Sequence, residues 1–322
     1  MQLKCHEGAK MYIHGKQSVI TAPGYSMPGA LSSYGCTDSD MSLLQTQAGI
    51  VSGGPVEFGR FRVKYILHMN IRQTISDLQD YYLLAYHGFM GMFRRPVYWK
   101  DTLEQMDYAG AGSFFIMGLV SLFVGMALSL QLAAELAVLG LKMYIGKVVG
   151  ITIIREVGPV VAALVFTGRV GAGMASELGS MMIGNQVDSL RVFGVDPIKK
   201  LVTPRIMAAL VMLPALTLLG DAISLVGAWY IAVFVSNQSG YVFWSSVRGI
   251  LDFQNVFSGA IKPFMFGFLI ASISCYAGLT TRGGATGLRT STTNAVVSSI
   301  VMIIISDFVL TRILLYVLGY KT

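Results

Sequence analysis

The chain has 322 residues, 54% of them hydrophobic and only 13% charged, with a formal net charge of +7. Ordinary soluble domains carry about 25% charged residues, and a chain of this size has too little interior to hide so much apolar surface. Disorder and a soluble globular fold are thereby excluded, which leaves a multi-pass membrane protein.

Charge is unevenly placed. Residues 1–107 hold ten Lys/Arg and nine Asp/Glu, and residues 108–322 hold fourteen and eight. The basic excess belongs to the hydrophobic part, where it reports cytoplasmic loops and anionic lipid rather than nucleic acid. No basic patch interleaved with aromatics supports nucleic-acid binding. Cys5, Cys36 and Cys275 are too few and too scattered for a disulfide framework or a metal cluster. His6, His14, His68 and His87 all precede the apolar spans, so no metal set of His and carboxylate is expected in the membrane.

Residues 1–60 are rich in Gly, Ser and Thr and contain no long apolar run. They read as a poorly ordered N-terminal extension on the cytoplasmic side. No signal-peptide core is visible, and Glu7, Asp38, Asp40 and Glu57 fit a transit peptide badly. Residues 67–99 read as an interfacial segment. In it Ile71, Ile75, Leu78, Tyr82, Tyr86, Phe89 and Phe93 recur at helical spacing, between polar residues, up to Arg94-Arg95-Pro96. Too polar to cross a bilayer, this amphipathic helix is expected to lie in the interface.

A five-span domain is expected over residues 108–320. Residues 108–134 carry no charge over 27 positions, more than the roughly 20 needed to cross. The second span runs over about 148–176 and contains Arg155, Glu156 and Arg169. The third covers about 205–235, interrupted by Pro214 and Asp221. The fourth covers about 259–281, and the fifth about 292–318 with Asp307 and Arg312 inside. The expected fold class is an all-α integral membrane protein with one interfacial amphipathic helix and five transmembrane helices. Lys and Arg favour the cytoplasmic side. Arg60, Arg62, Lys64, Arg72, Arg94, Arg95 and Lys100 precede the first span; Arg191, Lys199, Lys200 and Arg205 share one loop, and Arg282 and Arg289 another. Only Lys142, Lys147, Arg248 and Lys321 fall on the other side, so the N-terminus is expected inside and the C-terminus outside.

Three features carry chemistry. The first is Arg155-Glu156-Val157-Gly158-Pro159, an ionised pair beside a Gly-Pro break in an apolar span. Such charges must pair or face a cavity, and the carbonyl freed by Pro159 needs the same shelter. Adjacent helical residues point about 100° apart, so Arg155 and Glu156 are not assumed to pair with each other. Either they form a polar spot in a substrate cavity, suited to a phosphate or zwitterionic headgroup, or they are a structural pair near the membrane surface. The second feature is two rows of small residues at four-residue spacing, Gly168/Ala172/Ser176 and Gly171/Ala175/Gly179, around Arg169. They predict close helix packing. The third is the cytoplasmic loop 177–204, with a short amphipathic helix over about 184–193 ended by Gly194-Val195-Asp196-Pro197 and carrying Phe193 as an aromatic knob. It either docks into a partner's groove or lies on the bilayer.

Those residues resemble the MlaE-type permeases of Mce/Mla lipid ABC transporters, a family that includes a chloroplast envelope lipid permease. The similarity rests on Arg155-Glu156, Gly158-Pro159, Gly168-Arg169 and Gly171, then Glu177-Leu178-Gly179-Ser180-Met181, Gln186-Val187-Asp188 and Gly194-Val195-Asp196-Pro197. It continues through Pro204-Arg205, Leu213-Pro214, Thr281-Arg282-Gly283-Gly284-Ala285, Thr292-Thr293, Ala295-Val296-Val297, Asp307-Phe308 and Leu310-Thr311. It covers residues 67–318 in order. The resemblance implies a homodimeric permease of the MlaE fold with its lipid cavity at the dimer axis, a cytoplasmic ABC ATPase docked on the loop helix, and an Mce-domain lipid-binding protein on the other face. It further implies a bacterial inner membrane or a plastid inner envelope. Arg155, Glu156, Pro159 and Arg169 become cavity candidates. Glu177, Gln186, Asp188, Leu190, Phe193, Gly194, Asp196 and Pro197 become ATPase-coupling candidates. Asn185 and Arg191 stand where the family usually has acidic residues.

The chain has no Gly-x-x-x-x-Gly-Lys-Ser/Thr motif, so it is expected to be a phospholipid permease without enzymatic activity or cofactor, with ATP used by its partner. The alternative is a proton-coupled secondary transporter working through Glu156, Asp221 and Asp307, since intramembrane acids are what a relay needs.

Overall fold

The computed structural model describes residues 71–92 and 98–317, with four strands between residues 2 and 26; for the strands and residues 71–74 only the backbone is described. The chain divides into two compact units, Met1–Thr74 and Ile75–Thr322. In the first, β1 (Gln2–Lys4), β2 (Lys10–His14), β3 (Gln17–Ala22) and β4 (Tyr25–Ser26) form an antiparallel sheet in sequential order. His14 pairs with Gln17, and β3 carries the run Val19-Ile20-Thr21, whose branched side chains suit a pleated backbone. The extension expected to lack order thus contains a sheet over residues 2–26. The rest of residues 1–60 and Arg94-Arg95-Pro96 lie outside the described residues.

The second unit is helical throughout its described residues. Its elements are α1 (Ile71–Gly91, which begins in the first unit), α2 (Trp99–Val138), α3 (Lys142–Ile183), α4 (Gln186–Val192), α5 (Ile198–Phe234), α6 (Gly240–Arg248), α7 (Phe253–Leu279) and α8 (Gly284–Val317). Five of them, α2, α3, α5, α7 and α8, are long and apolar enough to cross a membrane. Pro214 does not interrupt the third span: α5 runs through it, as α7 runs through Pro263. Neighbouring helices make such prolines tolerable by sheltering the backbone groups they free.

α1 is amphipathic as its spacing predicts, and its sides are divided sharply. Ala85 and Gly88 are buried, with Gly88 against Ile206 and Val202 of α5, whereas Ile75, Leu78, Tyr82, Tyr86 and Phe89 stand exposed. Tyr81 shares a hydrogen bond of 3.0 Å with Ser272 of α7 and meets Tyr276 edge-on. Burial, outweighing that bond, pushes the Tyr81 phenol above its ordinary pKa.

The tightest seam joins α2 to α5. Ala109, Ser113, Met117, Ser121, Gly125, Ser129 and Ala133, each four residues from the next, form the buried stripe of α2. Ser129 donates to the Ala228 carbonyl at 2.9 Å, and Ser224 of α5 donates to the Ser121 carbonyl at 2.8 Å. A Cβ on Gly227 would fall 2.6 Å from the Leu122 carbonyl oxygen, and one on Gly125 would collide with the Ser224 carbonyl. Apolar lipid gives helices no hydrophobic reason to associate, so backbone approach and interhelical hydrogen bonds hold this pair.

Gly125→Val should therefore destabilise the protein by about 1–3 kcal/mol, as overpacking does. Gly168→Ala, where a Cβ meets no atom within 4 Å, should leave it unchanged. Thermal melting of the detergent-purified chain, followed by size-exclusion fluorescence, measures both.

Candidate functional site

The site is set by a fault in α3. The helix widens to π turns at Ile153–Val157 and at Thr167–Gly171. π turns are rare and concentrate at functional sites. The first precedes Pro159, which has no N–H to give. In the π register that bond would go to the Ile154 carbonyl, five residues back. This carbonyl instead meets the backbone of Gly259 in α7, where a Cβ would collide with it. On the α5 side, Gly158 lets the Asp221 carboxyl lie against α3, and any Cβ there would strike Asp221 Oδ1. That oxygen is buried without a hydrogen-bond partner.

The widened turn presents Glu156 to α7 and α8. Lys262 of α7, wholly buried, donates to Glu156 Oε2 at 2.5 Å. Its ammonium also lies 2.9 Å from Asp307 Oδ1 of α8, close enough for an ion pair but off the hydrogen-bond direction. Thr311, one turn beyond Asp307, donates to the same Glu156 oxygen at 3.3 Å. A lysine with no exposed surface is tolerated in an apolar interior only when its charge is matched. With the half-buried Arg155, two cations and two carboxylates meet where three spans converge. Glu156 keeps 40% of its side chain exposed, so the cluster opens on one side.

This corrects the set of residues expected from the sequence. Glu156 and Asp307 are joined through Lys262, which the sequence reading passed over although it is a lone basic residue beside Pro263 in an apolar run. Pro159 is buried and acts on the backbone of α3. Arg169 is not part of the cluster: 13 residues of helix put it about 20 Å along the axis from Glu156. It donates to Ser113 of α2 at 3.1 Å and lies on Gly112. The two small-residue rows behave differently. Gly171, Ala175 and Gly179 are buried, with Gly171 facing Ile270 and Ser274 of α7 and Gly179 facing Leu288 of α8 and Thr281. Gly168 is exposed and Ala172 half-buried.

The loop expected over 177–204 is shorter, because α3 continues to Ile183 and α5 begins at Ile198. Glu177 belongs to α3 and pairs with the buried Arg205 of α5 at 2.8 Å; Arg205 also donates to the Leu201 carbonyl at 2.7 Å. What remains is α4 held between two caps. Asn185, in the left-handed region that Asn tolerates, turns the chain from α3 into α4. Gly194, with φ +74°, closes α4: its N–H bonds the Arg191 carbonyl and that of Val195 the Leu190 carbonyl. Asp196 then accepts from the N–H of Ile198 at 3.0 Å, with Pro197 in the first turn, and so starts α5. Gly194, Asp196 and Pro197 are thus engaged in shaping the loop. Val187 is buried and Leu190 half-buried, while Gln186 and Asp188 are exposed, Asp188 pairing with Arg191 at 3.1 Å. Val192 and Phe193 project at 86% and 80% exposure. Lys200 pairs with Asp101 and sits over the Tyr98 ring, tying the start of α5 to that of α2.

Five apolar helices around an ion-paired centre, with a capped helix between the second and third, define a multi-pass membrane protein of the permease type. The chain belongs to the MlaE permease family: residues 102–313 match the family model described as Permease MlaE. It is 39% identical over 228 residues to the protein named TRIGALACTOSYLDIACYLGLYCEROL 1, chloroplastic, of Arabidopsis thaliana, covering 71% of this chain but only 65% of that protein. It is 34% identical over 246 residues to a probable ABC transporter permease protein of Rickettsia typhi, covering 76% of this chain and 95% of the relative. A probable ABC transporter permease protein of Synechocystis sp. is 38% identical over 229 residues, 71% of this chain and 87% of the relative.

Removing one member of the ion cluster should cost more than removing all of it. Lys262→Met leaves two carboxylates facing each other and should destabilise by about 3–5 kcal/mol. Combining it with Glu156→Gln and Asp307→Asn should recover most of that loss. Thermal melts of the single and triple variants in one detergent give the comparison, and a triple variant no better than the single one contradicts the pairing.

Proposed function

We propose that the chain is the membrane permease subunit of an ABC transporter that moves phospholipid or a related lipid between membranes. A separate cytoplasmic ATPase drives it, a second copy of the chain completes it, and an Mce-domain protein meets it on the opposite face. The observation that carries this reading is α4, a helix capped at both ends that projects Val192 and Phe193 into solvent between two spans. An exposed aromatic on a rigid stub is the shape of an interface anchor. The names of the bacterial relatives, ABC transporter permease proteins, and of the plant relative, which contains a galactolipid, support the same reading. The proposed orientation places α4 and the N-terminus inside, in a bacterial inner membrane or a plastid inner envelope.

In this mechanism, closure of the ATPase subunits displaces α4. Two cross-links, Glu177–Arg205 and Asp101–Lys200, pass the displacement to α3, α5 and α2. The widened turns of α3 are where the span yields. The half-exposed Glu156, backed by Lys262, gives a headgroup bearing both phosphate and amine a balanced polar surface within an apolar wall. α8 leaves Val297, Val301, Ile304, Ile305 and Phe308 exposed, a face for lipid or for the second copy.

Phe193→Ala should lower ATPase association by about 2 kcal/mol, the scale of a buried aromatic anchor. Lipid transport should fall with it while membrane insertion persists. Co-purification and a reconstituted lipid-transfer assay measure both, and undiminished association removes Phe193 as the anchor. Glu156 separates lipid contact from proton relay. In the lipid reading Glu156→Gln is milder than Glu156→Ala for bound lipid per dimer and for transfer rate. In a relay the two are equally damaging, since neither side chain titrates.

A further inference from the structure

A second site lies at the opposite end of the bundle from the ion cluster. Lys262 is 17 residues before the end of α7, about 26 Å along that helix. At that end, α1, α4 and the C-terminus of α7 enclose an open cavity of about 590 Å³. The volume falls within the range of small-molecule sites. Its floor is apolar, with Leu83 and Leu84 of α1, Met182 of α3, Val187 of α4 and Leu279 of α7. Its polar rim has a definite sign. Asp80 and Asp196 line it, the one cationic side chain there, Arg191, is already paired with Asp188, and His87 directs Nδ1 at the Leu83 carbonyl in its own helix. Thr280, the C-cap of α7, brings the end of that helix to the wall, and a helix C-terminus adds partial negative charge.

An apolar floor beneath an anionic rim suits an amphiphile with a positive head. We infer that this cavity binds the ammonium headgroup of a membrane lipid, with Asp80 as its principal charge partner and the first acyl carbons on the Leu83–Leu84–Leu279 floor. The source is fixed by the neighbourhood. The same helix that supplies Asp80 exposes Ile75, Leu78, Tyr82, Tyr86 and Phe89, the residues expected to enter the bilayer interface, so headgroup depth is where the cavity opens. Because its walls are α1 and α4, an occupied cavity braces the interfacial helix against the loop helix and ties the stance of α4 to the surrounding lipid. The binding claim needs no transport activity. Only the effect on α4 rests on the coupling role proposed above.

The test uses the full chain, purified in detergent and exchanged into nanodiscs whose lipid is either phosphatidylcholine or an equal mixture with phosphatidylethanolamine, at constant anionic lipid. Lipid retained by the chain is counted by native mass spectrometry. The two zwitterionic heads differ in the hydrogen bonds their ammonium can donate, so the cavity should enrich the primary amine over bulk. Asp80→Asn should lower that enrichment about tenfold, the usual worth of one charge-assisted hydrogen bond. Glu135→Gln, which removes an exposed carboxylate near the far end of α2, should leave it unchanged. Soluble ethanolamine at millimolar concentration should not displace the lipid. Displacement would mean a site for free amines and would overturn the lipid assignment. Equal enrichment in wild type and Asp80→Asn, with both proteins folded by their melts, would overturn the site. A labelled cysteine at position 193, compared by spin-label mobility in the two lipid mixtures, reads the effect on α4 separately.

Discussion

A charge cannot stand alone in hydrocarbon, and the protein's interior is organised around one that would otherwise do so. Lys262 has no exposed surface, and its ammonium is held between carboxylates from two other spans. That single constraint fixes the rotation of α3, α7 and α8 about their axes, since only one angular setting of each brings Glu156, Lys262 and Asp307 together. It also explains the fault in α3. A regular helix through Arg155–Pro159 would need an N–H that proline lacks, and the widened turn both absorbs that loss and aims Glu156 at its partner. Glycines at 158 and 259 then allow α5 and α7 to close on the irregular backbone.

Much of this was legible from the residues. The number of spans follows from apolar runs longer than the bilayer requires, and the interfacial helix from aromatic residues at a helical period. Gly-Val-Asp-Pro marks the end of one helix and the start of the next because each residue type has one good place in such a junction. What the sequence left undecided depends on the third dimension. The rows Gly168/Ala172/Ser176 and Gly171/Ala175/Gly179 have equivalent chemistry, and only the position of α7 and α8 decides that the second is packed and the first is not. Glu156, Asp221 and Asp307 look alike as acids in apolar spans. Two of them share a lysine, while the third rests on a glycine across the bulge.

The loop between α3 and α5 shows how residues that resemble a functional signature divide once their contacts are known. Glu177, Gly194, Asp196 and Pro197 hold the chain path: an ion pair to Arg205, a left-handed turn and a helix cap. Val192 and Phe193 are what that path displays. The two roles are complementary, since an aromatic side chain becomes a usable anchor only when the helix beneath it has lost the freedom to swing away. At the other end of the same helix, Asn185 occupies a backbone conformation that Asn tolerates better than branched residues.

The seam between α2 and α5 has a mechanical consequence. Where two helices meet through long side chains, rotamer changes act as springs, and one helix slides a little before the other responds. Here Gly125 and Gly227 bring peptide groups into direct apposition, and serine hydroxyls bolt carbonyls across the gap at two levels. A joint of that kind has almost no slack. α2 and α5 therefore behave as one stiff beam, a push at the Asp101–Lys200 end reaches the far end undiminished, and the compliance of the machine is left to α3, with its two slack turns, and to the thinly covered α8.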